Sequence, residues 1–190
     1  HPNAKTVFIG PCMAKKAEIK EPDLKGAIDY VLTYEELRDL FTTTDIDLEH
    51  LEEDNVPHAS RAGIRYAYAG GVAEAVAATV KRLDPNRKIE VKVRRADSVP
   101  DCKAMIDSIL KGNREGNFFE GMGCRGGCVG GPKALVPKEQ GKLNVMAYSD
   151  ESTYKTPAEN PYVIELLKQL GFETVEEFLT KSDLYDRKFD

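Results

Sequence analysis

FFEGMGCRGGCVGGP, residues 118–132, opens as a strand and ends as a glycine-rich loop with two cysteines, Cys124 and Cys128, four positions apart. Five glycines (Gly121, Gly123, Gly126, Gly127, Gly130) crowd it before Gly131 and Pro132 close it. So much glycine weakens a regular element, because glycine loses the most backbone freedom on folding. What it offers instead is close backbone approach and free amide donors, Gly126 and Gly127 between the cysteines included. Both suit wrapping a sulfur-rich inorganic cluster, whose sulfides accept hydrogen bonds and whose negative charge favours a nest of amides. Two thiolates on one turn supply two corners of such a cluster. The plain alternative is a structural turn with buried thiols.

Working outward, a matching strand end lies near the start of the chain. Residues 6–10, TVFIG, form a short strand-forming run that stops at Gly10-Pro11 and leaves Cys12 just past its carboxyl end. In open α/β sheets that is where ligands bind. A second apolar run over 27–32 leads into Thr33-Tyr34-Glu35-Glu36, the spacing of a capping box before Leu37, Leu40 and Phe41. Residues 42–61 read as loop with a helical turn near 48–53. GGVAEAVAATVKRL over 70–83 has helical spacing and stops at Asp84-Pro85. The alternation over 88–93 predicts a strand, and Val99, Ala104, Met105, Ile109 and Leu110 a helix ending before Gly112.

Strand followed by helix, three times over, with a fourth strand carrying the cysteines, predicts an α/β fold: a mostly parallel sheet of about four strands flanked by helices. Both cysteine loops then lie at one edge of it. The tail predicts a C-terminal helical segment: a short strand or extended piece over 143–148, an amphipathic helix over 160–170 ended by Gly171, and another opened by a capping box at Thr174 to Glu177. Nothing divides residues 1–190 into two domains.

Composition narrows the classes. The chain has 190 residues, 41% of them hydrophobic and 31% charged, with a net charge of -5. That suits one well-packed domain and argues against a nucleic-acid protein, which would carry a basic face. No apolar run approaches the roughly 18 residues of a membrane span. Four cysteines (Cys12, Cys102, Cys124, Cys128) are too few and too unevenly spaced for a secreted disulfide framework. A reducing cytoplasm is the expected home. His1, His50 and His58 show no ligand spacing and read as surface residues, and Arg61, Arg65, Arg94 and Arg95 as a solvated face. Cys102 reads as a packing residue.

Taken together, GPCMAKKAE (residues 10–18) and EGMGCRGGCVGGP (residues 120–132) resemble the second and third signature motifs of the iron-only hydrogenases. GGVAEAV (70–76) resembles the glycine-led helix of that family and ENPYVIELLKQLG (159–171) its C-terminal helix, in the same order along nearly the whole chain. The resemblance implies an H-cluster: a 4Fe-4S cubane bridged through one cysteine to a two-iron subcluster, interconverting protons, electrons and hydrogen. It implies Cys12 and Cys124 as cubane ligands and Cys128 as the bridging ligand. It implies that Lys15 hydrogen-bonds a cyanide ligand with its ammonium, that Glu18 orients that lysine, and that Met122 lines the two-iron pocket.

The first family motif, with its further cubane cysteine and a proton-relay cysteine, has no counterpart in the sequence. The chain is therefore expected to be the C-terminal half of a catalytic domain, with a missing N-terminal lobe as its first partner. By itself it is expected to be inactive, with the cluster absent or partial. Further partners implied are an electron carrier such as ferredoxin, or a signalling domain. Gly10 replaces the usual methionine before Pro-Cys, Arg125 the usual proline after Cys124, and Arg61 interrupts a small-residue run. These departures fit a divergent branch that senses hydrogen. A third reading is a cluster-binding relative without hydrogenase activity, used in cluster assembly or as a scaffold, against which the retained Lys15 argues.

Overall fold

A computed structural model describes residues 3–52 and 58–183. Four strands form two separate parallel ladders, and not one continuous sheet. β1 (Val7–Ile9) pairs with β2 (Tyr30–Leu32), and β3 (Val93–Asp97) with β4 (Phe118–Met122). The predicted α/β class and parallel pairing stand; the division into two ladders was not anticipated.

Local chemistry explains most boundaries. β1 and β2 are joined through a four-residue helical turn, α1 (Lys15–Glu18), and the next helix, α2 (Tyr34–Thr43), starts at the expected capping box. Glu36 N–H donates to Thr33 Oγ1 at 3.2 Å, while the Glu36 carboxylate accepts from Thr33 N at 2.8 Å. Two orphan donors of the first turn are thereby satisfied. A 3-10 turn covers Leu48–His50, inside the predicted loop, part of which falls outside the described residues.

After α3 (Arg61–Ile64), α4 (Gly71–Leu83) runs over the predicted residues and buries Gly71, Ala73 and Ala75. Small side chains on that face let it lie close against β4. α5 (Val99–Leu110) begins at Ser98, whose hydroxyl accepts from Asp101 N, and covers β3 and β4.

Two sequence expectations fail in instructive ways. The third strand is β3, a few residues beyond 88–93, because residues 90–92 are held by a side chain: Asn117 accepts from Lys92 N at 2.8 Å and donates to the Glu90 carbonyl at 2.9 Å. The ladder begins only where the backbone takes over. Residues 143–148 are not extended but lie inside α6 (Lys138–Asp150). Its buried positions, Gly141 and Ser149, are small or polar, so apolar periodicity does not reveal the helix. Ser149 packs inward because it accepts from Arg65 Nε at 2.9 Å.

α7 (Pro161–Gln169) follows with Asn160 as its cap, 1% exposed and donating to the His58 carbonyl at 2.7 Å. α8 (Val175–Lys181) has only half of the predicted capping box, since the Glu177 carboxylate takes the Glu173 N–H. No helix among the described residues is long and apolar enough to cross a membrane.

Candidate functional site

The two cysteine loops leave the carboxyl ends of β1 and β4 and dock on each other. Lys133 N donates to the Pro11 carbonyl at 3.1 Å, and a Cβ on Gly131 would stand 2.7 Å from that same oxygen. Cys12 therefore sits beside the loop that carries Cys124 and Cys128. All three are free thiols. Burial pushes the Cys128 thiol above its ordinary pKa, Cys12 and then Cys124 push it further, and Lys15 opposes them.

Lys15 begins α1, its ammonium ion-paired with the Glu18 carboxylate one turn on and 5.9 Å from the centroid of the Phe8 ring. Lys16, in contrast, turns to Glu36 at 2.5 Å. Met122 closes β4 opposite Asp97 and is half-buried. Its carbonyl accepts the Cys102 thiol at 3.6 Å. Cys102 otherwise packs against Gly121, where an added Cβ would lie 2.9 Å from its sulfur. It is thus a packing residue of α5.

The glycine loop is more tightly tied than free amides would allow. Gly126 N–H donates to Asp97 Oδ1 at 2.8 Å and Gly127 N–H to the Cys124 carbonyl at 3.0 Å. What these two glycines provide is close approach. Gly127 has φ 81° and ψ -153°, a conformation essentially reserved for glycine, and a Cβ there would stand 2.5 Å from Ala69 N. Ala69 N–H in turn donates to the Gly126 carbonyl at 3.0 Å.

Behind the loop stands a residue that sequence reading did not single out. Glu120, 5% exposed on β4, accepts from Gly70 N at 2.5 Å and Ala73 N at 2.7 Å, at the amino end of α4. Charge-assisted bonds at a helix N-terminus suit a buried carboxylate. The only sequence signal was an acidic residue interrupting an otherwise apolar strand.

Arg94 and Arg95 are exposed, as a solvated face would be, though each carries an ion pair, whereas Arg65 turns inward. Arg65, 18% exposed, donates to Ser149 and pairs with Asp150 at 2.8 Å, and Arg61 reaches the same carboxylate at 2.7 Å. Arg95 pairs with Glu74 at 3.7 Å and Arg94 with Glu115 at 2.8 Å. His50 bonds Asp47 at 2.8 Å, and His58 stacks with Tyr162. His1 lies outside the described residues.

No group of three or more His, Cys, Asp or Glu among the described residues is close enough to hold a single metal ion. The donors at hand are all sulfur, which selects soft iron–sulfur chemistry over a hard divalent cation.

Residues 1–132 match the family described as iron only hydrogenase large subunit, C-terminal domain. The chain belongs to the iron-only hydrogenase family. Iron hydrogenase 1 of Clostridium pasteurianum is 27% identical over 177 residues, covering 75% of this chain and 31% of that protein. The periplasmic [Fe] hydrogenase large subunit of Nitratidesulfovibrio vulgaris is 31% identical over 165 residues, covering 70% and 39%.

Among solved structures, a variant of the [FeFe]-hydrogenase HydA1 from Chlamydomonas reinhardtii superposes with a TM-score of 0.65 at 22% identity, covering 89% of this chain and 59% of that one. HydA(deltaEFG), whose structure concerns stepwise assembly of the H-cluster, gives 0.62 at 21% identity, covering 92% and 61%. These likenesses establish the fold. The iron-only hydrogenase relatives are longer: this chain spans 31% and 39% of the two curated ones.

Proposed function

We propose that this chain supplies half of an H-cluster-type iron–sulfur site, in a protein that carries out reversible redox chemistry between hydrogen and protons. The observation that carries the reading is the docking of the Cys12 loop on the Cys124–Cys128 loop through Pro11, Gly131 and Lys133 in a chain of this family. Cys12, Cys124 and Cys128 would hold the cluster, with Cys128 bridging its cubane and two-iron parts. When bound, such a cluster supplies electron storage and a metal centre for hydrogen. The chain's own part is to fix thiolates on two rigid loop ends, to narrow the site with Gly126 and Gly127, and to present a cation. Lys15, held by Glu18, places a compact positive charge beside anionic ligands. Met122 would wall the pocket at the end of β4.

A fourth cubane thiolate must come from elsewhere, and so must a cover. The chain exposes 14061 Å². A compact monomer of 21.1 kDa would expose roughly 9,000 Å². Val7, Ile9, Tyr30, Leu48, Leu51 and Leu135 contribute to the excess. An N-terminal lobe, of the kind the longer relatives have room for, is the partner we propose for this surface. Beyond it, an electron carrier such as ferredoxin, or a signalling domain, would complete the circuit. Hydrogen sensing is the second reading, favoured by the departures at Gly10, two before Cys12, and Arg125, directly after Cys124.

The test is anaerobic reconstitution of the intact protein with iron and sulfide, followed by iron and sulfide analysis and electron paramagnetic resonance after reduction. A cubane signal lost in Cys12→Ala and Cys124→Ala and kept in Cys102→Ala is expected. Equal iron content in all of these variants would sink the assignment. A hydrogen-oxidation assay of the matured protein then separates turnover from sensing.

A further inference from the structure

The residue before Pro11 is where this chain departs from the usual motif, and the structure shows what has taken the space. Residues two apart in a strand point to the same face. Phe8, in the middle of β1, accordingly folds its ring over Gly10. A Cβ built on Gly10 would lie 2.9 Å from Phe8 Cε1 and 3.2 Å from Cζ. Gly10 itself is buried, and the three heavy atoms nearest that Cβ, its chain neighbours aside, all belong to the Phe8 ring. From the other side, Gly131 and Lys133 clamp the Pro11 carbonyl. The backbone at Gly10 is thus fixed on one side by the second cysteine loop and on the other by an aromatic ring.

The same ring faces Lys15. Its ammonium stands 5.9 Å from the Phe8 centroid, inside the roughly 6 Å reach of a cation–π contact. On its other flank it is paired with Glu18. Two restraints of different kinds, a ring face and a carboxylate, therefore define where this cation sits. The neighbouring Lys16 has a carboxylate but no ring: it is taken up by Glu36.

We propose that Phe8 is a positioning residue for Lys15, and that Gly10 is the space its ring requires. The two are a matched pair. A long side chain at position 10 and an aromatic ring at position 8 compete for one volume, and choosing the ring exchanges a flexible apolar wall for a flat one that also holds the cation. The placement of Lys15 toward a cluster rests on the function proposed above, but the pairing of Phe8 with Gly10 and Lys15 does not.

Both halves are testable on the 190-residue chain without a cluster. In the first experiment, lysines are modified by an amine-reactive ester and the rates at Lys15 and Lys16 are read by peptide mass spectrometry. Phe8→Leu should raise the Lys15 rate about 2- to 5-fold, the factor equivalent to an exposed cation–π contact, and leave Lys16 unchanged. A general loosening of the fold would raise both, so an unchanged ratio overturns the positioning role.

In the second, thermal unfolding is followed for Gly10→Met, Phe8→Ala and the double variant. Gly10→Met alone should lower Tm by roughly 3 °C or more, as overpacking does in a chain of this size. Phe8→Ala should lower it too, and the double variant should recover most of the Gly10→Met loss. A double variant no more stable than the sum of the singles overturns the shared volume. Iron uptake of the same variants in the reconstituted protein reports separately on the cluster: if Lys15 labelling shifts and uptake does not, the pairing stands and the cluster role of Lys15 fails.

Discussion

Two short parallel ladders each deliver a cysteine loop, and they are secured by different physics. β3 and β4 are in register over five residue pairs, and a buried carboxylate, Glu120, ties them to α4. β1 and β2 are in register over three pairs, with Val7, Ile9 and Tyr30 left exposed. That second arm carries a set of polar contacts at the surface: Asp29 with Thr6 N at 2.8 Å and Lys5 at 3.0 Å and Lys16 with Glu36 at 2.5 Å, all exposed, and the half-buried pair of Lys133 with Glu35 at 2.6 Å. Buried bonds hold in salt and mild acid; exposed pairs are screened and titrate. The Cys124–Cys128 loop is therefore anchored from within, whereas the Cys12 arm relies more on ion pairs at the surface.

The largest break in this contrast should come from Glu120→Ala. It leaves the Gly70 and Ala73 amides buried without a partner and removes a charge from the amino end of α4. With two charge-assisted bonds lost, about 3–5 kcal/mol is expected. For a chain of this size that lowers Tm by roughly 6 °C or more. Glu120→Gln keeps one acceptor and should fall between the variant and the native chain. A Glu120→Ala protein that melts with the native one would show that the inner anchor is not where the geometry puts it.

Gly127→Ala comes next. Its Cβ would press on the backbone of Tyr68 and Ala69, at 2.7 Å and 2.5 Å, and the conformation itself disfavours any side chain. Strain of this kind costs about 1–3 kcal/mol before the overlap is counted. The loop must move to relieve it, so cluster uptake should fall more steeply than Tm. Gly26→Ala, also at positive φ but with nothing within 4 Å, is the control for conformation without contact. Equal effects of the two would remove close approach from the account.

What could be read from sequence follows the same divide between local and long-range causes. The Thr33–Glu36 box, the Gly171 stop and the Cys12 and Cys124 positions at strand ends are encoded within a few residues, and they appear as expected. α6 was missed because its inward residues, Gly141 and Ser149, owe their burial to Val129 and Arg65, far away in the chain. The inward turn of Arg65 was hidden for the same reason, since Ser149 and Asp150 are its partners only in three dimensions. Glu120 shows only as an acid in an apolar strand and Asp97 not at all, since their amide partners lie across element boundaries. At the site, composition announced close approach at Gly126 and Gly127 but not that their amides were already in use.

A smaller effect is expected from Thr33→Ala, which removes a buried cap of α2. Loss of such a cap costs about 1 kcal/mol. Hydrogen exchange should show it confined to α2 and the β1–β2 arm, with β3 and β4 protected as before. Loss of protection spread evenly over both ladders would mean that they unfold as one unit and that the contrast has no energetic content.

The smallest effect is acid loosening of the Cys12 arm, and its sign is fixed by the direction of the shifts. The Lys16 ammonium, then the Thr33 N–H, hold the Glu36 carboxyl at about 2, below its ordinary 4.5. The Thr6 N–H and then Lys5 lower Asp29 in the same direction. A group whose folded pKa is depressed stabilises the fold fully above its unfolded value and loses that contribution as pH falls toward the folded one. The window is therefore from about 4.5 down to about 2 for Glu36. Nuclear magnetic resonance can follow it residue by residue. The Thr33 amide, bonded to that carboxylate, should shift with a midpoint near the bottom of the window, while the Asn117 amide, bonded to the Lys92 carbonyl, should not follow it. Lys16→Ala sharpens the test. Without the ammonium the Thr33 midpoint should climb toward 4.5, and the arm should begin to loosen at a pH where the native protein still holds it. If the midpoint stays where it was, the helix cap alone sets the carboxylate, and the Cys12 arm is less dependent on its surface ion pairs than the comparison of the two ladders implies.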